Sequence, residues 1–396
     1  MGINFQNIIN KYSKTEGDRT EVDEIMTVAL ILQRIFGHQV LDPDWTWKKY
    51  FLHQFLTLLL FIYVFFGTLE VVSSTSDPEL IAEASYTLVL IIICPIKLIV
   101  FINNRFIFKK LYVMAKTTLY EAIKADSKAK IEQVLNKGRK VTYTLFGMVV
   151  IPVFVYEVTT IWNYFRGRKI LLSRSTSTLM PMTTPCYEVA MIFHSVFLTE
   201  VSSITIVMDM WFAFLMFFFC VASDGLVNIL EVKSKVKYES GLTYAKRLNE
   251  SLRKFHNAHV QQVEYLNTVN AMYKWLGVMP LCHAAMSICI VLLVISNDIN
   301  WRFTVHMFPL FAEIFVYNWF GEQIKIKAFD LKTALLNFDW MGLEIKDRTR
   351  YYIIVMYISK EFGIKTAVGN YLSMITMSNV LKSSYQAFTV FQSVSY

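Results

Sequence analysis

The chain is short of charge. Asp, Glu, Lys and Arg make up 18% of its 396 residues, against 55% that are hydrophobic. That is too apolar for a soluble chain of this size and points to a membrane protein with several spans, with no nucleic acid among its partners. Cysteine is scarce too. Cys94, Cys186, Cys220, Cys282 and Cys289 show no metal-ligand spacing, and only Cys186 falls in an expected loop. Neither a metal site nor a disulfide framework is expected. The sequence holds no His-Glu-x-x-His, no Gly-rich phosphate loop and no Gly-x-Ser-x-Gly, so enzyme chemistry finds no support and no cofactor is expected. No cleavable signal peptide is expected either, because residues 1–40 carry charges throughout and no compact apolar run. Met1-Gly2-Ile3-Asn4-Phe5-Gln6 lacks the Ser or Thr of a myristoylation site. The first span is then its own insertion signal.

What is there instead is a series of long apolar runs. Seven spans are expected, at about 51–72, 80–102, 141–162, 187–222, 275–295, 301–320 and 366–396. Pro95 predicts a kink in the second, and Pro152 sits inside the third. The fourth, 36 residues long, would reach roughly 54 Å as helix and so project from the bilayer. Trp45 and Trp47, beside a Pro43 turn, suit the headgroup level.

Lys and Arg set the orientation. With the N-terminus inside, 32 of them fall on the inner side and five on the outer. The positive-inside rule favours a cytoplasmic N-terminus and an outer C-terminus. The single sequon, Asn249-Glu250-Ser251, is then inside and silent. This orientation opposes a G-protein-coupled receptor, and the Asp-Arg-Tyr and Asn-Pro-x-x-Tyr signatures are also missing. A transporter is the other alternative, but no inverted repeat relates the two halves.

The inner segments read as helix. Leu248, Leu252, Phe255, Val263, Leu266, Val269 and Tyr273 recur at helical spacing, with His259 interrupting them. Leu331, Leu335, Leu336 and residues 351–358 form a second such pattern. The fold class expected is therefore all-α: a seven-transmembrane helical membrane protein, N-terminus cytoplasmic, with helical cytoplasmic extensions of spans 4–7. Its parts would be an N-terminal segment 1–47, a ligand-binding bundle 48–222, a cytoplasmic helical loop 223–274, spans 5–6 at 275–323, anchor helices 324–365 and a last span 366–396. Glu83, Glu157, Glu200, Asp209 and Glu313 lie in the spans; scattered over separate helices, each reads more simply as solvated at the interface or as a hydrogen-bonding partner of a neighbouring helix.

On a helical wheel, Ser383, Gln386, Ala387, Val390, Ser393 and Val394 share an arc of roughly 120°. Tyr385, Phe388, Phe391 and Gln392 fall largely opposite. The small, half-polar face suits either a pore lining or close helix packing.

A resemblance rests on the last segments: Ala328 to Trp340, Arg350-Tyr351-Tyr352-Ile353-Ile354-Val355-Met356, Ile364-Lys365-Thr366-Ala367, and Asn379-Val380-Leu381-Lys382-Ser383-Ser384-Tyr385-Gln386-Ala387-Phe388. This resembles the C-terminal signature of insect odorant receptors, whose Ser-Tyr-x-x-Phe-type run is matched by Ser384, Tyr385 and Phe388. Lys360-Glu361-Phe362 stands where members usually have a Pro, and Thr366-Ala367-Val368 replaces an Ala-Gly-Gly-like run. The Thr-Tyr…Gln-Phe ending of the related gustatory receptors is not present. The resemblance implies a tuning subunit of an odorant-gated, non-selective cation channel, assembled with a shared co-receptor into a heterotetramer in the cell membrane of sensory dendrites. It implies a pore lined by span 7, with Gln386, Val390, Ser393 and Val394 at the gate and filter. It implies a pocket for a small volatile among spans 2, 3, 4 and 6. Tyr86, Leu90, Phe154, Val158, His194, Phe197 and Leu198 are its candidate residues, each of which could equally be plain helix packing.

Overall fold

The structure, a computed structural model, describes residues 21–38, 41–42, 45–119, 128–171, 176–231, 240–297, 305, 307–358 and 362–394. Two short helices, α1 (Glu21–Ile25) and α2 (Thr27–Ile35), precede the long ones. Then come α3 (Trp47–Ser74), α4 (Pro78–Asn103), α5 (Arg105–Met114) and α6 (Lys128–Phe165). They are followed by α7 (Cys186–Leu230), α8 (Gly241–Leu276), α9 (Val278–Asn297), α10 (Met307–Leu336), α11 (Ile345–Ile358) and α12 (Met374–Val394). Among the described residues there is no β-strand, only the isolated bridge Lys365–Tyr371.

Local chemistry sets the helix starts. The Thr46 hydroxyl accepts from the Lys49 amide at the head of α3. Asp77 accepts from the Glu79 amide, with Pro78 in the first position of α4, where its missing N–H costs nothing. Ser240 caps α8 through the Thr243 amide. Pro95 and Pro152 both sit inside continuous helix.

α7 is the axis of the molecule. It packs against α10, α6, α8, α2, α4 and α3. Its 45 residues span roughly 68 Å, longer than the expected fourth span because the helix continues past Ala222 to Leu230. Trp211, Phe212 and Leu215 on it are fully buried. Aromatic pairs knit it to its neighbours, with Phe212 stacked on Tyr317 at 4.1 Å between centroids and Phe108 edge-on to Trp211 at 5.4 Å. The expected inner extensions form a second core. Leu226 and Leu230 of α7, Leu248, Leu252 and Phe255 of α8, Leu331 and Leu335 of α10, and Tyr351, Ile354 and Ile358 of α11 pack together there.

Among the described residues, five stretches are long and apolar enough to cross a membrane: Trp47–Ser74, Glu79–Asn103, Ile131–Phe165, Cys186–Leu230 and Gly241–Ser296, the last joining α8 to α9. α10 and α12, expected as spans 6 and 7, are 30 and 21 residues long and so reach across a hydrocarbon core of about 30 Å, but they carry more polar side chains. The expected single span 366–396 differs in the structure. Helix starts at Met374, and Thr366 to Ser373 form a tight turn in which Thr366 N donates to Asn370 O and Leu372 N to Ile364 O. Gly369, at φ 95°, supplies a left-handed backbone conformation that other residues adopt only with strain. Residues 395–396 of that span lie outside the described residues. So do the first 20 residues of the N-terminal segment, and residues 301–304 at the head of span 6. The two tryptophans at the start of α3 divide: Trp47 is exposed, while Trp45 is buried with the Arg105 guanidinium 4.3 Å from its ring.

Candidate functional site

Where α4, α6, α7, α9 and α10 converge, they leave a cavity of about 70 Å³. Helical spacing explains the lining. On α6, Val149, Pro152, Val153 and Tyr156 form one stripe. On α7 the stripe is Leu198, Val201, Ser202, Thr205 and Asp209. Tyr86 and Leu90 come from α4, His283 from α9, and Pro309, Leu310 and Glu313 from α10. Aliphatic and aromatic groups make most of the wall, and the acids and the histidine add a polar part. That composition suits a small, largely apolar molecule held by a few polar contacts.

The polar part is an ionic cluster. Lys97 pairs with Glu313, and both are about 3% exposed. His283 Nδ1 lies 3.0 Å from the other oxygen of Glu313, Oε2. Asp209 is also buried, with the Tyr317 hydroxyl beside it. Two buried charges taken from water survive only when paired and hydrogen-bonded, and the Glu313 carboxylate meets that condition on both oxygens. Sequence reasoning treated the acids as scattered. The fold brings Glu313 to Lys97, 216 residues away. The available signal was an ionisable lysine inside an apolar span, but its partner was not legible. Two other intramembrane acids bond across helices, with Glu157 accepting from Ser195 at 2.8 Å and Glu200 from Thr57 at 3.2 Å.

The candidate ligand residues separate into three groups. Tyr86, Leu90 and Leu198 stand in the cavity wall. His194 and Phe197 are buried instead against α3, with His194 6.0 Å from the Tyr63 ring and Phe197 edge-on to Phe61 at 5.2 Å. Phe154 and Val158 are exposed, at 66% and 45%, on the outer face of α6. They sit about 150° and 170° around that helix from the lining stripe, so the expected phase of α6 was half a turn off. Val153 and Tyr156 occupy the positions they were expected to hold.

On α12, Met377, Val380 and Leu381 pack against Ala284, Ile288 and Ile314 of α9 and α10. Ser384 is buried on the same side. Gln386, Val390 and Ser393 are exposed, and Val390 keeps 61% of its surface. The side chain of Val394 lies outside the described residues. The aromatic side is not uniformly packed, since Tyr385 and Phe391 are also exposed while Phe388 and Gln392 are half-buried.

The foot of α12 is fixed to the bundle. Asn318, fully buried on α10, accepts from the Ser373 amide. A Cβ on Gly321 would lie 2.3 Å from the Leu372 carbonyl oxygen, so only glycine lets the turn approach α10 this closely. Asn270 of α8 holds the other side, donating to Gly363 O at 3.0 Å and accepting from Lys365 N at 3.2 Å.

Long apolar helices gathered round one buried axis, with a cavity at their junction, define a multi-pass helical membrane protein. The family profile described as "7tm Odorant receptor" matches residues 77–385. The chain belongs to that family, which is one of receptors. Two solved structures share the fold: the insect olfactory receptor OR5 from Machilis hrabei, with TM-score 0.74, and the same receptor in complex with eugenol, with TM-score 0.71. Each is 13% identical to this chain, over 94% of it and 98% of the receptor. No curated protein matches the sequence.

Proposed function

We propose that this chain is the odorant-sensing subunit of a heteromeric, odorant-gated, non-selective cation channel. The observation that carries the reading is the cavity among α4, α6, α7, α9 and α10, whose mostly apolar lining suits a small volatile. Tyr86, Leu90 and Leu198 contact the ligand there. The eugenol complex of the olfactory receptor with the same fold supports a ligand site in this architecture.

The pore is lined by α12. Gln386, Val390 and Ser393 turn away from the chain's own bundle, which leaves them for the central axis of an assembly. Val390 and Val394 close the pore by excluding water, and Ser393 stands at the filter. The partners are a shared co-receptor subunit in a tetramer, the permeating cations and the surrounding lipid. The N-terminus is cytoplasmic, following the Lys and Arg distribution. The assembly sits in the plasma membrane of a sensory dendrite. A ligand that binds the open arrangement better shifts the channel toward it by that difference in affinity.

Whole-cell recording tests this. Cells expressing the chain with an odorant co-receptor should give a fast cation current to some member of a volatile panel, without added nucleotide. Surface-localised protein that gives only a slow, G-protein-dependent current would overturn the reading.

A further inference from the structure

The ionic cluster has unused hydrogen-bonding capacity of one kind. A carboxylate oxygen can only accept, so His283 carries a proton on the Nδ1 that faces Glu313, and when the ring holds a single proton Nε2 carries the lone pair. That Nε2 is buried and meets no partner among the described residues. Asp209 Oδ1 is likewise buried and without one. Both residues line the cavity. Lys97 donates to Glu313 and makes no hydrogen bond to either of these atoms. A buried acceptor left without a donor costs about 1–3 kcal/mol, and a molecule that supplies the donor recovers part of that.

We propose that the cavity takes a small apolar molecule carrying one hydrogen-bond donor head, a hydroxyl or an amine, received by Asp209 and His283. This deepens the reading of the cavity as the odorant site and rests on it. Esters, ethers and ketones lack the donor and leave both unmatched acceptors as they were, so they are disfavoured. The remaining wall is mostly aliphatic, with two aromatic rings at Tyr86 and Tyr156, which fits the body of an arylalkyl chain. An ammonium head gains in addition from a second carboxyl beside the one that Lys97 pairs with, so amine and alcohol share one chemistry and differ in charge.

Three probes of nearly equal shape separate the possibilities: 2-phenylethanol, 2-phenylethylamine and 2-phenylethyl methyl ether. The readout is half-maximal current from the full chain co-expressed with its co-receptor. The alcohol or the amine should act at concentrations about tenfold or more below the ether. An amine more potent than the alcohol identifies a cationic head, and the reverse a neutral one; either supports the donor rule. Asp209→Leu should erase the advantage over the ether. An ether as potent as both donors overturns the proposal on the unaltered protein alone, as does silence to alcohol and amine alike. Leu198→Trp, which fills the cavity, should suppress every response. Undiminished responses in that variant would show that the ligand binds elsewhere, so the site itself would fall. Suppression together with an equipotent ether would leave the site standing and remove the donor rule.

Discussion

Asn318 and Ser373 join the cavity helix to the last helix. The Asn318 carboxamide oxygen accepts from the Ser373 amide at 3.1 Å, and Asn318 is fully buried. Glu313 in the cavity wall lies five residues earlier on the same α10, about one and a half turns away. The head of α12 is therefore tied to the element that carries part of the cavity.

Breaking that tie should show. Asn318→Ala leaves the Ser373 amide buried without its acceptor, a loss of about 1–3 kcal/mol. The expected outcome is a lower melting temperature in detergent and a weakened odorant-evoked current at normal surface level. A melting curve and current amplitude both unchanged would mean that the contact is idle.

Gly321 makes a sharper case. Its added Cβ would meet the backbone of Leu372, which cannot rotate aside as a side chain could. Gly321→Val should cost more than the 1–3 kcal/mol usual for overpacking and strip the protein from the cell surface. Gly225→Ala, where nothing lies within 4 Å of the new Cβ, is the matched control and should leave surface labelling intact.

The Lys97–Glu313 pair predicts non-additive damage. Lys97→Met strands a buried carboxylate with only His283, and the loss expected is about 3–5 kcal/mol. Lys97→Met with Glu313→Leu removes both charges and should regain most of it. Thermal stability of the single and double variants decides; a double variant as unstable as the sum of its parts would count against the pairing.

Val390→Ser should raise resting current, because a hydroxyl at an exposed position of α12 eases wetting of a closed hydrophobic gate. Ile375→Ser, exposed at the other end of the same helix, should not. Basal leak in cells with matched surface expression is the measurement.

The sequence carried the all-α class and the positions of the most apolar spans, because apolar length alone marks a span. It carried the phase of α12 only in part: Gln386, Val390 and Ser393 of the small face are exposed, but so are Tyr385 and Phe391 on the side expected to pack. It did not carry the phase of α6. Lipid is as apolar as a protein core, so Phe154 facing outward and Val153 facing the cavity look alike in the sequence. His194 shows the same limit in another form. A polar ring in an apolar helix marks burial, but Tyr63, not the cavity, is its neighbour. The turn before α12 was hidden for a different reason. It depends on Asn318, Gly321 and Asn270, which lie on α8 and α10 and become partners only after the bundle closes.

The unbroken length of α7 makes it a lever. Asp209 in the cavity wall and Leu230 in the second core sit on one helix, about 31 Å apart along its axis. A tilt of about 5° pivoting near Asp209 would sweep Leu230 sideways by roughly 3 Å, more than half the pitch of a helical turn. A displacement too small to notice around a bound molecule would then repack side chains at the far end.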